Sequence, residues 1–137
     1  PMCIKRALLR EVIPIYGDGL QIRDWIHVDD HCLAINKVLN DGVPGESYNV
    51  GSSNEWTNLQ LVELMCEILD SMQPKDDGLS YKTQIQFVND RPGHDRRYAV
   101  DASKIKNKLK WEPKENFEKG IQNTVEWYLK NHQLDLD

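Results

Sequence analysis

Pro14-Ile15-Tyr16-Gly17-Asp18-Gly19-Leu20-Gln21-Ile22-Arg23-Asp24-Trp25-Ile26 reads as a short strand, a tight turn and a returning strand. Gly17 and Gly19 flank an aspartate and supply the positive φ angles that a tight β-hairpin requires. Beyond Val28, Asp29 or Asp30 suits the N-cap of a helix running to about Leu39, with Leu33, Ile35, Val38 and Leu39 on or near its apolar side. Upstream, Pro1 fits a first helical turn, and Met2, Ile4, Ala7, Leu8 and Val12 recur at loosely helical spacing over 2–12. Helix and strand alternate from the outset, which predicts an α/β fold of short strands and helices.

The same alternation continues downstream. Asp41-Gly42 ends the second helix, Pro44-Gly45 is a turn, and Ser47 to Val50 reads as a short strand closed by Gly51. Thr57-Asn58-Leu59-Gln60 has the form of a capping box ahead of a helix carrying Leu61, Leu64, Met65, Ile68 and Leu69 to about Met72. Residues 73–82, with Pro74 and Gly78, read as a loop. Thr83 to Val88 alternates like a strand. Asp101 can cap a helix from Ala102 to about Leu109, Trp111-Glu112-Pro113 interrupts it, and a last helix spans about Phe117 to Asn131. The strand at 47–50 has no expected strand nearby, and a lone strand is unstable, so its sheet is expected outside this sequence.

Composition narrows the function classes. The 137 residues carry a net charge of −5, with 39% hydrophobic and 28% charged residues, an ordinary balance for a soluble protein and the wrong sign for a nucleic-acid binder. No apolar run approaches the roughly 20 residues that cross a bilayer, so no membrane partner is expected. The opening residues, with Lys5, Arg6 and Arg10, do not form a signal peptide. Cys3, Cys32 and Cys66 lack paired spacing and are expected as reduced, helix-borne, buried thiols in a cytoplasmic protein. His31 beside Asp29 and Asp30, and His94 before Asp95, match no standard metal spacing, so no metal site is expected.

Asp90-Arg91-Pro92-Gly93-His94-Asp95-Arg96-Arg97-Tyr98 concentrates three arginines in an acidic chain. A guanidinium is a planar fork suited to phosphate oxygens, so this loop has the makings of an anion site. A solvated turn whose arginines pair with Asp90, Asp95 and Asp101 fits the composition equally well. Arg23 has the same two readings, phosphate contact or ion pair with Asp24 or Asp18.

Residues 16–25, Val28-Asp29-Asp30-His31, Gly45 to Gly51, Asp90 to Asp101, Leu109 to Pro113 and Thr124 to Leu129 occur in an order that resembles the extended short-chain dehydrogenase/reductases. The likeness is to their carboxyl-terminal part and runs from Pro1 to about His132. The uninterrupted Asp90–Asp101 stretch is most similar to the branch that dehydrates dTDP-glucose. The resemblance implies one unit over 1–137, a carboxyl-terminal nucleotide-sugar-binding lobe lacking the NAD-binding Rossmann lobe. It implies that Pro14, Ile15 and Tyr16 line the nucleotide-sugar pocket and that Arg23 lies near the diphosphate. It further implies a polar contact from Asn58 and a loop of Asp90, Arg91, Pro92, Gly93 and His94 that closes over the nucleotide.

The chemistry implied by that resemblance needs NAD, a tyrosine base with lysine four residues on, and an acidic pair. No glycine triplet has the dinucleotide spacing, and Tyr16, Tyr48, Tyr81, Tyr98 and Tyr128 lead to Leu20, Ser52, Ile85, Ala102 and His132. No catalytic or cofactor-binding residue is therefore assigned. NAD is expected in the intact parent, none for this chain alone, and the chain alone is expected to be inactive. Its partners are expected to be dTDP-glucose and a missing amino-terminal NAD-binding lobe. Exposed apolar surface and weak stability follow from the missing sheet. Two alternatives stay open: a piece of another nucleotide-sugar epimerase or decarboxylase, and a free-standing nucleotide-binding module.

Overall fold

A computed structural model describes residues 1–131; the last six residues of the expected unit, including His132 where the resemblance ends, lie outside them. Helices α1 (Met2–Leu8), α2 (Val28–Asp41), α3 (Asn58–Met72), α4 (Ser103–Leu109) and α5 (Phe117–Asn131) alternate with strands β1 (Ile13–Tyr16), β2 (Ile22–Asp24), β3 (Glu55–Thr57), β4 (Ile85–Val88) and β5 (Arg97–Tyr98). The α/β expectation therefore holds. α3 forms where the capping box placed it: Thr57 Oγ1 accepts from Gln60 N at 3.1 Å, and Gln60 Oε1 accepts from Thr57 N at 3.0 Å.

The expected hairpin does not form. Gly17 and Gly19 do adopt φ of 61° and 71°, and Gly19 N donates to Tyr16 O at 3.2 Å, so the turn is real. Its two arms enter different sheets. β1 runs parallel to β4, Ile13 opposite Ile85 and Tyr16 opposite Val88. β2 lies between β3, antiparallel, and β5, parallel. The physical reason lies in the turn's exit. Leu59 N donates to Gly19 O and Asn58 N to Gln21 O, so the start of α3 draws the chain away from β1.

Other boundaries shift for local reasons. α1 stops at Leu8 instead of continuing to Val12, because Arg10 takes φ of 59° and the amides of Arg10 and Glu11 fold back onto Ala7 O and Arg6 O. The cap of α2 is His27, whose Nδ1 accepts from Asp29 N at 3.3 Å, and neither Asp29 nor Asp30. Asp30 is instead buried and its carboxylate accepts from Lys114 N and Glu115 N at 3.0 and 2.9 Å, which pins the chain after Trp111. Within the expected loop 73–82, Tyr81 is buried and opens a 3₁₀ turn, Tyr81–Gln84, so β4 starts at Ile85 and not Thr83. Residues 47–50 pair with no strand among the described residues. Tyr48 and Val50 pack on a small core, and Asn49 Nδ2 donates to Asp101 O at 3.1 Å.

Two apolar cores hold these elements. Ile4, Ala7, Ile13, Ile15, Leu61, Val62, Met65, Cys66, Leu69, Tyr81 and Val125 join α1, the β1–β4 pair, α3 and α5. Burying a leucine such as Leu69 contributes about 1.5–3 kcal/mol. Ala34, Ile105, Leu109 and Trp111 form the second core, between α2 and α4. α2 reaches it through Ala34 and Val38, while Val28, Leu33, Ile35, Leu39 and Val43 remain exposed. The expectation of buried thiols holds for Cys66, in part for Cys3, and fails for Cys32, which lies exposed on α2.

Candidate functional site

The crossing of the two sheets gathers the residues singled out in the sequence. The β1–β4 register sets Pro14 opposite Gln86 and Tyr16 opposite Val88, two residues before Asp90. Gly17 N donates to Val88 O at 2.9 Å, fastening the turn to the same strand end. Arg23 lies opposite Trp56 on one side and Tyr98 on the other. Asn58 is tied through its backbone N to Gln21 O, beside β2. Ile15 differs from the rest: it is 3% exposed, part of the main core, and offers a ligand no side-chain face.

Charge pairing separates the arginines into two sets. Arg96 Nη1 donates to both carboxylate oxygens of Asp18, at 2.9 and 2.8 Å, and Arg97 grips Glu55 through Nε and Nη2. These guanidinium groups hold the Asp18 and Glu55 carboxyls below their ordinary range. Arg23 has no carboxylate partner among the described residues: its Nη1 donates to Ile22 O at 2.7 Å and Asp95 O at 3.0 Å. The guanidinium of Arg91 has no partner among the described residues.

Of the acids that could have neutralised this pair, Asp24, Asp90 and Asp101 are committed elsewhere, while Asp95 meets Arg23 through its backbone oxygen. Asp24 accepts from Ser52 N, Ser52 Oγ and Asn54 N, shaping the loop before β3. Asp101 accepts from Ser103 N at 2.8 Å at the start of α4, and this bond lowers its pKa. Asp90 accepts from Arg91 N at 2.9 Å and Gln21 Nε2 at 3.1 Å, and its Oδ1 lies 2.6 Å from His94 Nδ1. The His94 bond is the main cause of the lowered Asp90 pKa. Arg23 opposite the exposed ring of Tyr98 (64%), and Arg91 on the loop after the strand that pairs with Tyr16 (45%), suit a flat base joined to an anion.

Pro92 and Gly93 are exposed at the loop tip, with open space around Gly93. Two residues of this surface had not been singled out. Tyr98 carried only the generic signal of an aromatic near arginines, and Gln21 carried none, since a glutamine between Leu20 and Ile22 reads as surface. A separate hollow of about 260 Å³ lies among Trp25, His27, Asp30, Pro113, Glu115 and Phe117. Its carboxylates disfavour an anion. No group of three metal-ligating side chains gathers among the described residues, and no helix is long and apolar enough to cross a membrane.

Comparison with known proteins is consistent with this geometry. The family model for GDP-mannose 4,6 dehydratase matches residues 1–124. The chain is 53% identical over 131 residues to a dTDP-glucose 4,6-dehydratase of Xanthomonas campestris pv. campestris, covering 96% of this chain and 37% of that relative. The crystal structure of dTDP-glucose 4,6-dehydratase from Bacillus anthracis, in complex with NAD, superposes with a TM-score of 0.84 at 46% identity, over 98% of this chain and 40% of that one. A UDP-glucose 4-epimerase from Thermotoga maritima with UDP-glucose gives a TM-score of 0.83 at 32% identity, over 96% of this chain and 39% of that one. The backbone therefore does not separate dehydratase from epimerase, whereas sequence identity favours the dehydratases. The chain spans about 37% of the length of the curated relative it matches.

Proposed function

Because the chain belongs to the GDP-mannose 4,6 dehydratase family, we propose that it is the nucleotide-sugar-holding portion of a dTDP-glucose 4,6-dehydratase. The observation that carries this proposal is that, among the described residues, Arg23 and Arg91, alone of the four arginines around β2 and β5, have no carboxylate partner. They supply charge for a diphosphate, Tyr16 a ring for the base, and Asn58 and the 90–94 loop polar groups around it. Pro14 forms the edge beside Tyr16, and Ile15 acts through its backbone position. In the intact enzyme a second lobe would supply NAD, the proton-transfer groups and the remaining sugar contacts. This chain alone would hold the nucleotide without converting the sugar. One unit over 1–137 and a cytoplasmic, deoxysugar-forming lyase belong to the same proposal.

Calorimetric titration with dTDP tests the reading. Binding at micromolar Kd, about −8 kcal/mol, is the expected upper bound for a pre-formed module. An affinity in the millimolar range fits a partial pocket. UDP binding as tightly as dTDP would shift the assignment toward the epimerases, and no heat at millimolar dTDP would remove the site from this chain.

A further inference from the structure

Gln21 is 2% exposed, yet it lies between a turn and a strand at the rim of the site. A buried amide is costly unless it is hydrogen-bonded. Its Nε2 makes one bond, to Asp90 Oδ2 at 3.1 Å, across 69 residues of chain, and no protein donor reaches its Oε1 among the described residues. Turning the amide over would set its carbonyl oxygen against a carboxylate oxygen, so the bonded orientation is the one retained.

The other oxygen of Asp90 takes Arg91 N and faces His94 Nδ1. An ionised carboxylate only accepts, so a neutral His94 must carry its proton on Nδ1 and keep the lone pair on Nε2. That is the reverse of the tautomer a free neutral imidazole prefers in water. The His94 side chain is 6% exposed, which keeps the ring in place. Gly17 closes the arrangement from the other side: a Cβ there would stand 2.7 Å from Asp90 Oδ2 and 3.1 Å from Gln21 Nε2.

We infer that Gln21 is a positioning residue that sets the loop bearing Arg91 by fixing Asp90 and, through Asp90, the tautomer of His94. Without the amide of Gln21, Asp90 loses the donor that ties it to the root of β2 and turns toward solvent. Arg91, Pro92 and Gly93 are then held through the loop's flanks, where Gly17 N bonds Val88 O, Arg23 Nη1 bonds Asp95 O and Ile22 N bonds Arg96 O. The ligand arm of this inference rests on the nucleotide reading above; the tautomer arm does not.

The test uses the 137-residue chain with ¹⁵N-labelled imidazoles. Neutral His94 is expected in the Nδ1–H form in the unsubstituted chain and shifted toward Nε2–H in Gln21→Met, with dTDP affinity reduced about tenfold. Gln21→Glu supplies an internal rescue, because two facing carboxyls share a proton: its affinity should approach that of the unsubstituted chain near about pH 5 and fall as the pair deprotonates. That comparison uses one folded sample and decides the matter if Gln21→Met does not fold. An Nε2–H tautomer in the unsubstituted chain, an unchanged tautomer in Gln21→Met, or a pH-independent Gln21→Glu affinity would each overturn the inference. Absence of dTDP binding by the unsubstituted chain removes the nucleotide reading alone, and the tautomer comparison still decides the role of Gln21.

Discussion

Arg23→Met and Arg97→Met remove the same charge from neighbouring positions, and they should have unequal consequences for ligand binding. Among the described residues Arg23 spends only Nη1, on two backbone carbonyls, so its Nε and Nη2 remain available to an anion. A hydrogen bond between a guanidinium and a phosphate oxygen contributes about 1.5–3 kcal/mol, so Arg23→Met should weaken dTDP roughly tenfold to a hundredfold. Arg97 is already bound to Glu55 through Nε and Nη2 at the exposed face of β5. Its loss should change dTDP affinity by less than about twofold, since an exposed ion pair contributes little. Calorimetric titration of both variants at matched ionic strength, with far-ultraviolet circular dichroism to verify folding, gives the comparison. Equal weakening by both substitutions would mean that net charge, not the unpaired guanidinium, governs binding. No weakening by Arg23→Met would refute the placement of the diphosphate.

Three further outcomes follow from local geometry. Cys32, exposed on α2, should alkylate first, while Cys66, whose thiol burial pushes up to about 12, should resist until the chain unfolds; mass spectrometry of tryptic peptides reads the order. Gly17→Ala and Gly93→Ala both force a left-handed φ on alanine at about 1–2 kcal/mol, visible as lower thermal midpoints. Only Gly17→Ala should also weaken dTDP, because its methyl meets Asp90, whereas Gly93 faces open space. The Asp90 pKa is lowered in the folded chain, so its contribution is present above the ordinary value of 3.8 and is lost as pH falls through the lower, folded value. Amide exchange in residues 90–98 should accelerate below about pH 4, before α3 loses protection, and simultaneous loss would assign the acid transition to the core instead.

Helices were legible where two independent signals agreed. α3 had both an apolar repeat and the Thr57–Gln60 box, and α5 had Phe117, Ile121 and Val125 on one side. Sheet pairing was not legible. β1 finds its partner in β4, beyond α2 and α3, and β3 and β5 are too short and too polar to show periodicity. The turn at Gly17–Gly19 was read correctly and its pairing incorrectly, because glycine geometry fixes a turn without fixing what lies beside it. Of the site, the sequence marked the guanidinium groups of Arg23 and Arg91 but could not tell which arginines would find acids. Asp18 meets Arg96 and Glu55 meets Arg97 only through tertiary placement. Gln21 was invisible because its burial depends on a loop 69 residues away.

That same separation has a kinetic consequence. The bonds from Gln21 to Asp90 and from Arg23 to Asp95 span 69 and 72 residues, about half the chain. Contacts of this range close large loops, and the entropy of closure must be met before they contribute. α3 and its capping box can form locally and early, but the surface we propose for the anion forms only after the ends of those loops meet. In a refolding experiment, recovery of dTDP binding should therefore trail the recovery of helical signal, and the site should be the last part of the molecule to assemble.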